Sequence, residues 1–143
     1  MGGRRVDEGA LARFGAEFAR ALRPPPPVVV AIAGELGTGK TTLVRAVARA
    51  LGVTEPVTSP TFALVHRYTG TATTVYHVDA YRLRRAADAA DLGLDDMLDE
   101  PHSVVLIEWP ERLGEALPEP AHRITLAYTD DPLLRELDVD GER

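Results

Sequence analysis

The 143-residue chain is long enough for one domain with a proper core, and its 45% hydrophobic and 27% charged residues are ordinary globular values. A net charge of −6 argues against a broad basic face that would wrap nucleic acid or lie on an anionic membrane, and the absence of cysteine excludes disulfides, thiolate metal sites and cysteine catalysis. No apolar run approaches the roughly 18 residues of a membrane span and no apolar signal core follows Arg4 and Arg5, so the expectation is a soluble, cytoplasmic protein without a membrane.

Asp7 is placed to cap a first helix, whose Leu11, Phe14, Phe18 and Leu22 form one apolar stripe. Pro24-Pro25-Pro26-Pro27 then stops the helix and reads as a stiff connector, since proline lacks the amide proton and clashes with the preceding turn. Val28 to Ala33 is continuously apolar, as expected of a strand buried on both faces. Gly34-Glu35-Leu36-Gly37-Thr38-Gly39-Lys40-Thr41 follows. After it, Leu43, Val44, Val47 and Leu51 recur at helical spacing as far as Gly52, a helix stop.

This loop fits G-x-x-x-x-G-K-[ST] in its strand–loop–helix context, the phosphate cradle of P-loop NTPases. Gly37 and Gly39 permit backbone conformations closed to other residues, so that successive amide groups can point at one phosphate with the helix dipole behind them. Lys40 would reach the β- and γ-phosphates, and the Thr41 hydroxyl would sit on Mg²⁺.

Val57 to Phe62 and Ala63 to Tyr68 lead through a turn at Thr69-Gly70-Thr71 into Thr73 to Asp79, which predicts an antiparallel hairpin feeding the sheet. Arg82 to Asp99 is predicted helical with a break near Gly93, and Ser103 to Ile107 is a second apolar central strand. Pro110 opens a short helix, and Ile124 to Tyr128 with Arg135 to Val139 flank Asp130-Asp131-Pro132 as a terminal hairpin. The alternation predicts a single α/β domain, a three-layer P-loop NTPase core with a mixed, mostly parallel sheet and an antiparallel hairpin.

A phosphate cradle of this kind needs a carboxylate from a neighbouring strand end to hold the cation or its water shell. Asp79 and Glu108 both qualify, because each ends a predicted strand and ligand crevices in open α/β sheets lie at the carboxyl ends of the strands. Ser59-Pro60-Thr61 lies where nucleotide-driven proteins often carry a switch segment, although an ordinary proline turn reads as well. His77, beside an acid on its strand, suits a structural hydrogen bond. Trp109 suits either core filling or covering a base. Arg82, Arg84 and Arg85 read as a solvated helix face, and His102 and His122 lack zinc-ligand spacing.

Taken together, these motifs resemble the TsaE (YjeE) family, the small bacterial ATPase of tRNA threonylcarbamoyladenosine synthesis. The resemblance is carried by Gly34 to Thr42, Ser59-Pro60-Thr61-Phe62 with Leu64, Val65 and Tyr68, His77-Val78-Asp79-Ala80-Tyr81-Arg82-Leu83, Leu92-Gly93-Leu94 and Glu108-Trp109-Pro110-Glu111. It implies slow ATP hydrolysis serving a complex of TsaB with TsaD, with tRNA reached only through that complex. It also implies that Thr41 and Glu108 hold Mg²⁺, that Asp79 is an essential acid near the γ-phosphate, and that Ser59, Pro60 and Thr61 belong to a switch-like segment. Nucleotide contacts are then expected from Glu35, Leu36, Gly37, Thr38, Gly39, Lys40, Thr41 and Thr42, with Trp109 beside the pocket. Lys40 would neutralise developing charge, while Asp79 or Thr61 orients the attacking water. The chain departs from the family pattern at Leu11, where threonine is common, at His66, where glutamate is, and at Ala80, where leucine is. Arg84 and Arg85 are also more basic than usual.

Two other functions compete. A metabolite kinase would need an arginine-bearing lid and an acceptor pocket, for which the chain is short. A GTPase-like switch would need an Asn-Lys-x-Asp, which the sequence lacks.

Overall fold

The computed structural model describes residues 3–22, 27–58 and 64–140. Pro24, Pro25 and Pro26 of the expected proline connector, and the switch-like segment of Ser59, Pro60 and Thr61, lie outside the described residues. One seven-stranded sheet organises the rest, in the order β1-β7-β6-β2-β5-β4-β3. Its strands are β1 (Arg4–Val6), β2 (Val28–Ala33), β3 (Val65–Thr69), β4 (Thr74–Asp79), β5 (Ser103–Glu108), β6 (His122–Tyr128) and β7 (Arg135–Asp140). The central strands β6, β2, β5 and β4 run parallel, while β1, β7 and β3 pair antiparallel at the margins.

Alternate residues of the inner strands feed two separate cores, as a pleated strand buried on both faces requires. Val28, Val30 and Ile32 of β2, with Val104 and Leu106 of β5, meet helices α1 (Glu8–Ala21) and α2 (Lys40–Ala50) through Leu11, Phe14, Leu43 and Val47. Val29, Val105 and Ile107 point the other way, onto α3 (Leu94–Asp99) and the 3-10 segments Ala86–Leu92 and Pro110–Ala116, through Ala89, Met97 and Leu113. The expected three layers and mixed sheet are therefore present. The fold's best-filled side chains, such as Ile32, Leu43 and Leu106, are fully buried, and each contributes about 1.5–3 kcal/mol of transfer free energy.

Asp7 caps α1 as expected, its Oδ1 accepting from the amide of Ala10 at 2.7 Å. Gly15 lets α1 lie close on α2, because a Cβ there would come within 2.8 Å of Ala46 Cβ. The structure corrects one predicted element: Arg82 to Arg85 are not helical, and the segment begins only at Ala86, as 3-10, with α3 starting after Gly93. The turn that follows Asp79 explains this, since Leu83 donates its amide to Ala80 and the chain is still leaving the sheet there. Strand β1 was not foreseen: three residues are too few to show a period, and they pair only because β7 offers a free edge. Among the described residues no helix is long and apolar enough to cross a membrane.

Candidate functional site

The parallel core sends the carboxyl ends of β2, β5 and β4 to one edge. There β2 passes into the glycine loop, β5 ends on Glu108 and β4 ends on Asp79, with Asp79 and Glu108 as register partners. The loop is braced by its own atoms. Thr38 Oγ1 donates to Glu35 O at 2.7 Å, Lys40 Nζ donates to Glu35 O at 2.9 Å, and Lys40 Nζ also donates to Gly34 O. Gly39 sits at φ 108° at the head of α2, and a Cβ there would strike Leu11 Cδ2 at 2.9 Å. Among the described residues no side chain caps α2, and its first turn carries no acid, whereas α1 has both a cap and Glu8. The amides at the start of α2 therefore face the cleft with their dipole uncompensated, an arrangement suited to an anion.

The cleft above this loop has a volume of about 310 Å³ and is lined by Lys40, Thr41, Asp79, Tyr81, Glu108 and Trp109, among others. Glu108 is buried at the edge of the core and accepts from Thr41 Oγ1 at 3.4 Å and from His77 Nε2 at 2.6 Å. A carboxylate only accepts, so His77 carries its proton on Nε2, and its buried Nδ1 has no partner among the described residues. Asp79 Oδ1 accepts the amide of Tyr81 at 3.1 Å. Burial pushes the Asp79 carboxyl above its ordinary value; the Tyr81 amide opposes this, the charge of Glu108 adds to it, and His77 and Lys40 oppose it. Burial lowers Lys40 from its ordinary value, against the pull of Glu108, Asp79, Glu111 and Glu35.

Thr41, Glu108 and Asp79 form a set of hard oxygen donors, the chemistry that suits magnesium. Among the described residues no cluster of three or more His, Cys, Asp or Glu could hold an ion unaided.

Trp109 closes one wall. Lys40 Nζ lies 4.4 Å from its ring centroid, and Tyr81 packs on it at 5.0 Å with the planes tilted by 45°. Trp109 holds the left-handed conformation (φ 57°), costly for an aromatic residue and of a kind that clusters at functional sites. A second cleft, of about 300 Å³, shares Gly37, Gly39 and Thr42 with the first and lies on the other side of the loop, between Asp7, Glu8 and Leu11 of the first helix region and Pro132, Leu133 and Arg135 of the last hairpin.

Residues 6–137 match the sequence profile of a family described as "Threonylcarbamoyl adenosine biosynthesis protein TsaE". The chain belongs to the TsaE family. Relatives named "tRNA threonylcarbamoyladenosine biosynthesis protein TsaE" are 36% identical in Haemophilus influenzae, over 87% of this chain and 80% of the relative, and 41% identical in Streptomyces coelicolor, over 81% and 78%. A crystal structure of Bacillus subtilis YdiB superposes with a TM-score of 0.77 at 29% identity, covering 94% of this chain and 81% of that one.

Within this TsaE-family chain, the structure gathers Leu36, Gly37, Gly39, Lys40, Thr41, Thr42, Asp79, Glu108 and Trp109 around one cleft. Thr38 is buried beneath the loop and Glu35 braces it through its carbonyl. Thr61 lies outside the described residues. Sequence reasoning missed Arg112, Tyr128 and Arg135. Tyr128 Oη donates to Leu36 O, and Arg135 reaches Gly37 O at 3.4 Å while stacking 4.7 Å over Tyr128. These contacts span more than 90 positions of sequence and exist only because β6 lies beside β2. Arg112, three residues beyond Trp109, was within reach of a helical-spacing argument.

Proposed function

We propose that this TsaE-family protein binds ATP with magnesium and hydrolyses it slowly, driving or resetting a TsaB–TsaD complex that makes threonylcarbamoyladenosine on tRNA. The observation that carries the reading is the meeting of Lys40 and Thr41 with Glu108 and Asp79 in one cleft of a chain whose family is described by that biosynthesis. tRNA is reached through the complex rather than by this chain, consistent with its net charge of −6.

The α2 amides and Lys40 bind the β- and γ-phosphates. Thr41 and Glu108 would hold the magnesium ion, which would supply charge neutralisation on the phosphates when bound. Asp79, made more basic by burial, accepts a hydrogen bond from the attacking water and aligns it with the γ-phosphorus; as the new P–O bond forms, the bond to the β-phosphate oxygen breaks, ADP leaves and the water's proton passes to Asp79. Lys40 offsets the charge that grows on the phosphoryl oxygens. The loop separates two clefts, so a nucleotide laid across it puts its phosphates in the first and its base in the second. There Leu11 and Leu133 give apolar walls, and Glu8 offers a carboxylate to an exocyclic amine. Adenine presents such an amine where guanine presents a carbonyl oxygen, which favours ATP over GTP.

Turnover with and without the TsaB–TsaD pair tests this. The expected result is slow hydrolysis by the isolated chain and a clear rise with the pair. A rate already high alone and unmoved by the pair removes the accessory role, and preferential tight binding of GTP removes the base assignment.

A further inference from the structure

We propose that Arg112 is a positioning residue of this cleft, locking the turn that carries Asp79 and the indole of Trp109 into one unit; the inference rests on the reading of the cleft as a magnesium–ATP site. Arg112 Nη1 donates to the carbonyl of Tyr81 at 3.0 Å. The same guanidinium lies 5.4 Å from the Tyr81 ring centroid and 5.7 Å from that of Trp109. Tyr81 and Trp109 are themselves 5.0 Å apart. One exposed side chain therefore makes three contacts at once, which a planar guanidinium can do because its faces stack while its edge donates.

The consequence runs to the acid. The peptide groups of Tyr81 are pinned on both sides, the amide by Asp79 Oδ1 and the carbonyl by Arg112. Without Arg112, Tyr81 is free to rotate away from Trp109 and the Asp79 turn loses its outer anchor. The loop amides depend on neither contact, and Lys40, though it lies over the Trp109 ring, keeps its bonds to Gly34 O and Glu35 O wherever the indole sits. Arg112 therefore governs the part of nucleotide binding that passes through the acids and the cation, and leaves the part that passes through the loop.

The test uses the full chain and ATP, titrated once with magnesium and once with EDTA, read by calorimetry and by the emission of Trp109, the sole tryptophan. Arg112→Ala is expected to weaken magnesium–ATP binding about tenfold, the loss of one charge-assisted bond with its stacking. Binding in EDTA should stay within about twofold, the scatter expected of uncoupled sites. Trp109 emission of the free variant should move to longer wavelength. Arg84→Ala removes the same charge from an exposed position on the neighbouring segment and should change neither titration. Arg112→Lys keeps the charge but cannot both stack and donate, and should recover only part of the loss.

Equal weakening with and without magnesium, the same loss from Arg84→Ala, or an Arg112→Ala variant that binds magnesium–ATP as the wild type does would each overturn the positioning role while leaving the ATP reading intact. A wild-type chain that binds no ATP in either titration would overturn the reading itself, and the role of Arg112 with it.

Discussion

His77 Nε2 donates to Glu108 Oε2 across 2.6 Å with both side chains buried. The same oxygen accepts from Thr41 Oγ1 at 3.4 Å, so the histidine fixes the acid beside Thr41 through one atom. Removing one partner of such a pair leaves the other buried with its hydrogen bond unmade. His77→Ala should therefore lower unfolding free energy by about 2–4 kcal/mol, measured by urea titration. Glu108→Gln keeps the volume and an oxygen for His77, so its stability should fall by only about 1 kcal/mol. Its magnesium-dependent hydrolysis should nevertheless collapse. Unchanged turnover in Glu108→Gln would take Glu108 out of the site.

Lys40 is the cation nearest the phosphate cradle, held by Gly34 O, Glu35 O and the face of Trp109. Lys40→Ala should abolish detectable ATP binding, a loss of roughly a hundredfold or more from charge-assisted bonds to phosphate. The fold should persist, because the same change removes a desolvated charge. Calorimetry on the folded variant decides the matter, and retained micromolar binding would contradict the assignment.

Much of this was legible because strong local signals coincided. The continuous apolar runs of β2 and β5, followed directly by the glycine loop and by Glu108, specify buried parallel strands and a crevice at their ends. The role of His77 was visible in outline, since a histidine on a strand beside an acid needs a partner. Its actual partner, Glu108 rather than Asp79, follows from the pairing of His77 with Leu106 across β4 and β5, which no single strand reveals. Arg82 to Arg85 failed as a helix because a tertiary turn after Asp79 outweighs propensity. Tyr128 and Arg135 looked like hairpin residues and nothing more, since their contact with the loop depends on β6 adding beside β2.

That contact gives a third expectation. A Cβ at Gly37, which sits at φ 80°, would come 2.7 Å from the Tyr128 hydroxyl. Gly37→Ala should thus cost both backbone strain and a clash, and weaken ATP binding by more than about tenfold. Tyr128→Phe alone should cost about 1 kcal/mol through the lost bond to Leu36 O. The pair should be better than additive, because removing the hydroxyl relieves the clash while the strain remains. Strict additivity in a double-mutant cycle of ATP affinities would show that the last hairpin does not brace the loop.

The fourth expectation concerns pH. Burial raises the Asp79 carboxyl above its ordinary value of 3.8, so the folded chain holds a proton that the unfolded chain has already released. By linkage, stability falls as pH rises from the ordinary value through the folded one, and the cost is fully present above that window. This is the reverse of a carboxylate held by a cation, whose contribution grows with pH. Asp79→Asn keeps an oxygen for the Tyr81 amide and removes the titration. The variant should be more stable than the parent at pH 7, and the difference should shrink toward zero as pH falls below the ordinary carboxylate value. Its ATP turnover should be lost at every pH, since the amide cannot take the water's proton. Urea midpoints measured for both proteins from pH 3 to pH 7, without magnesium, give the comparison, and a stability difference that does not change over that range would show that Asp79 is no more buried in its charged form than an ordinary surface acid.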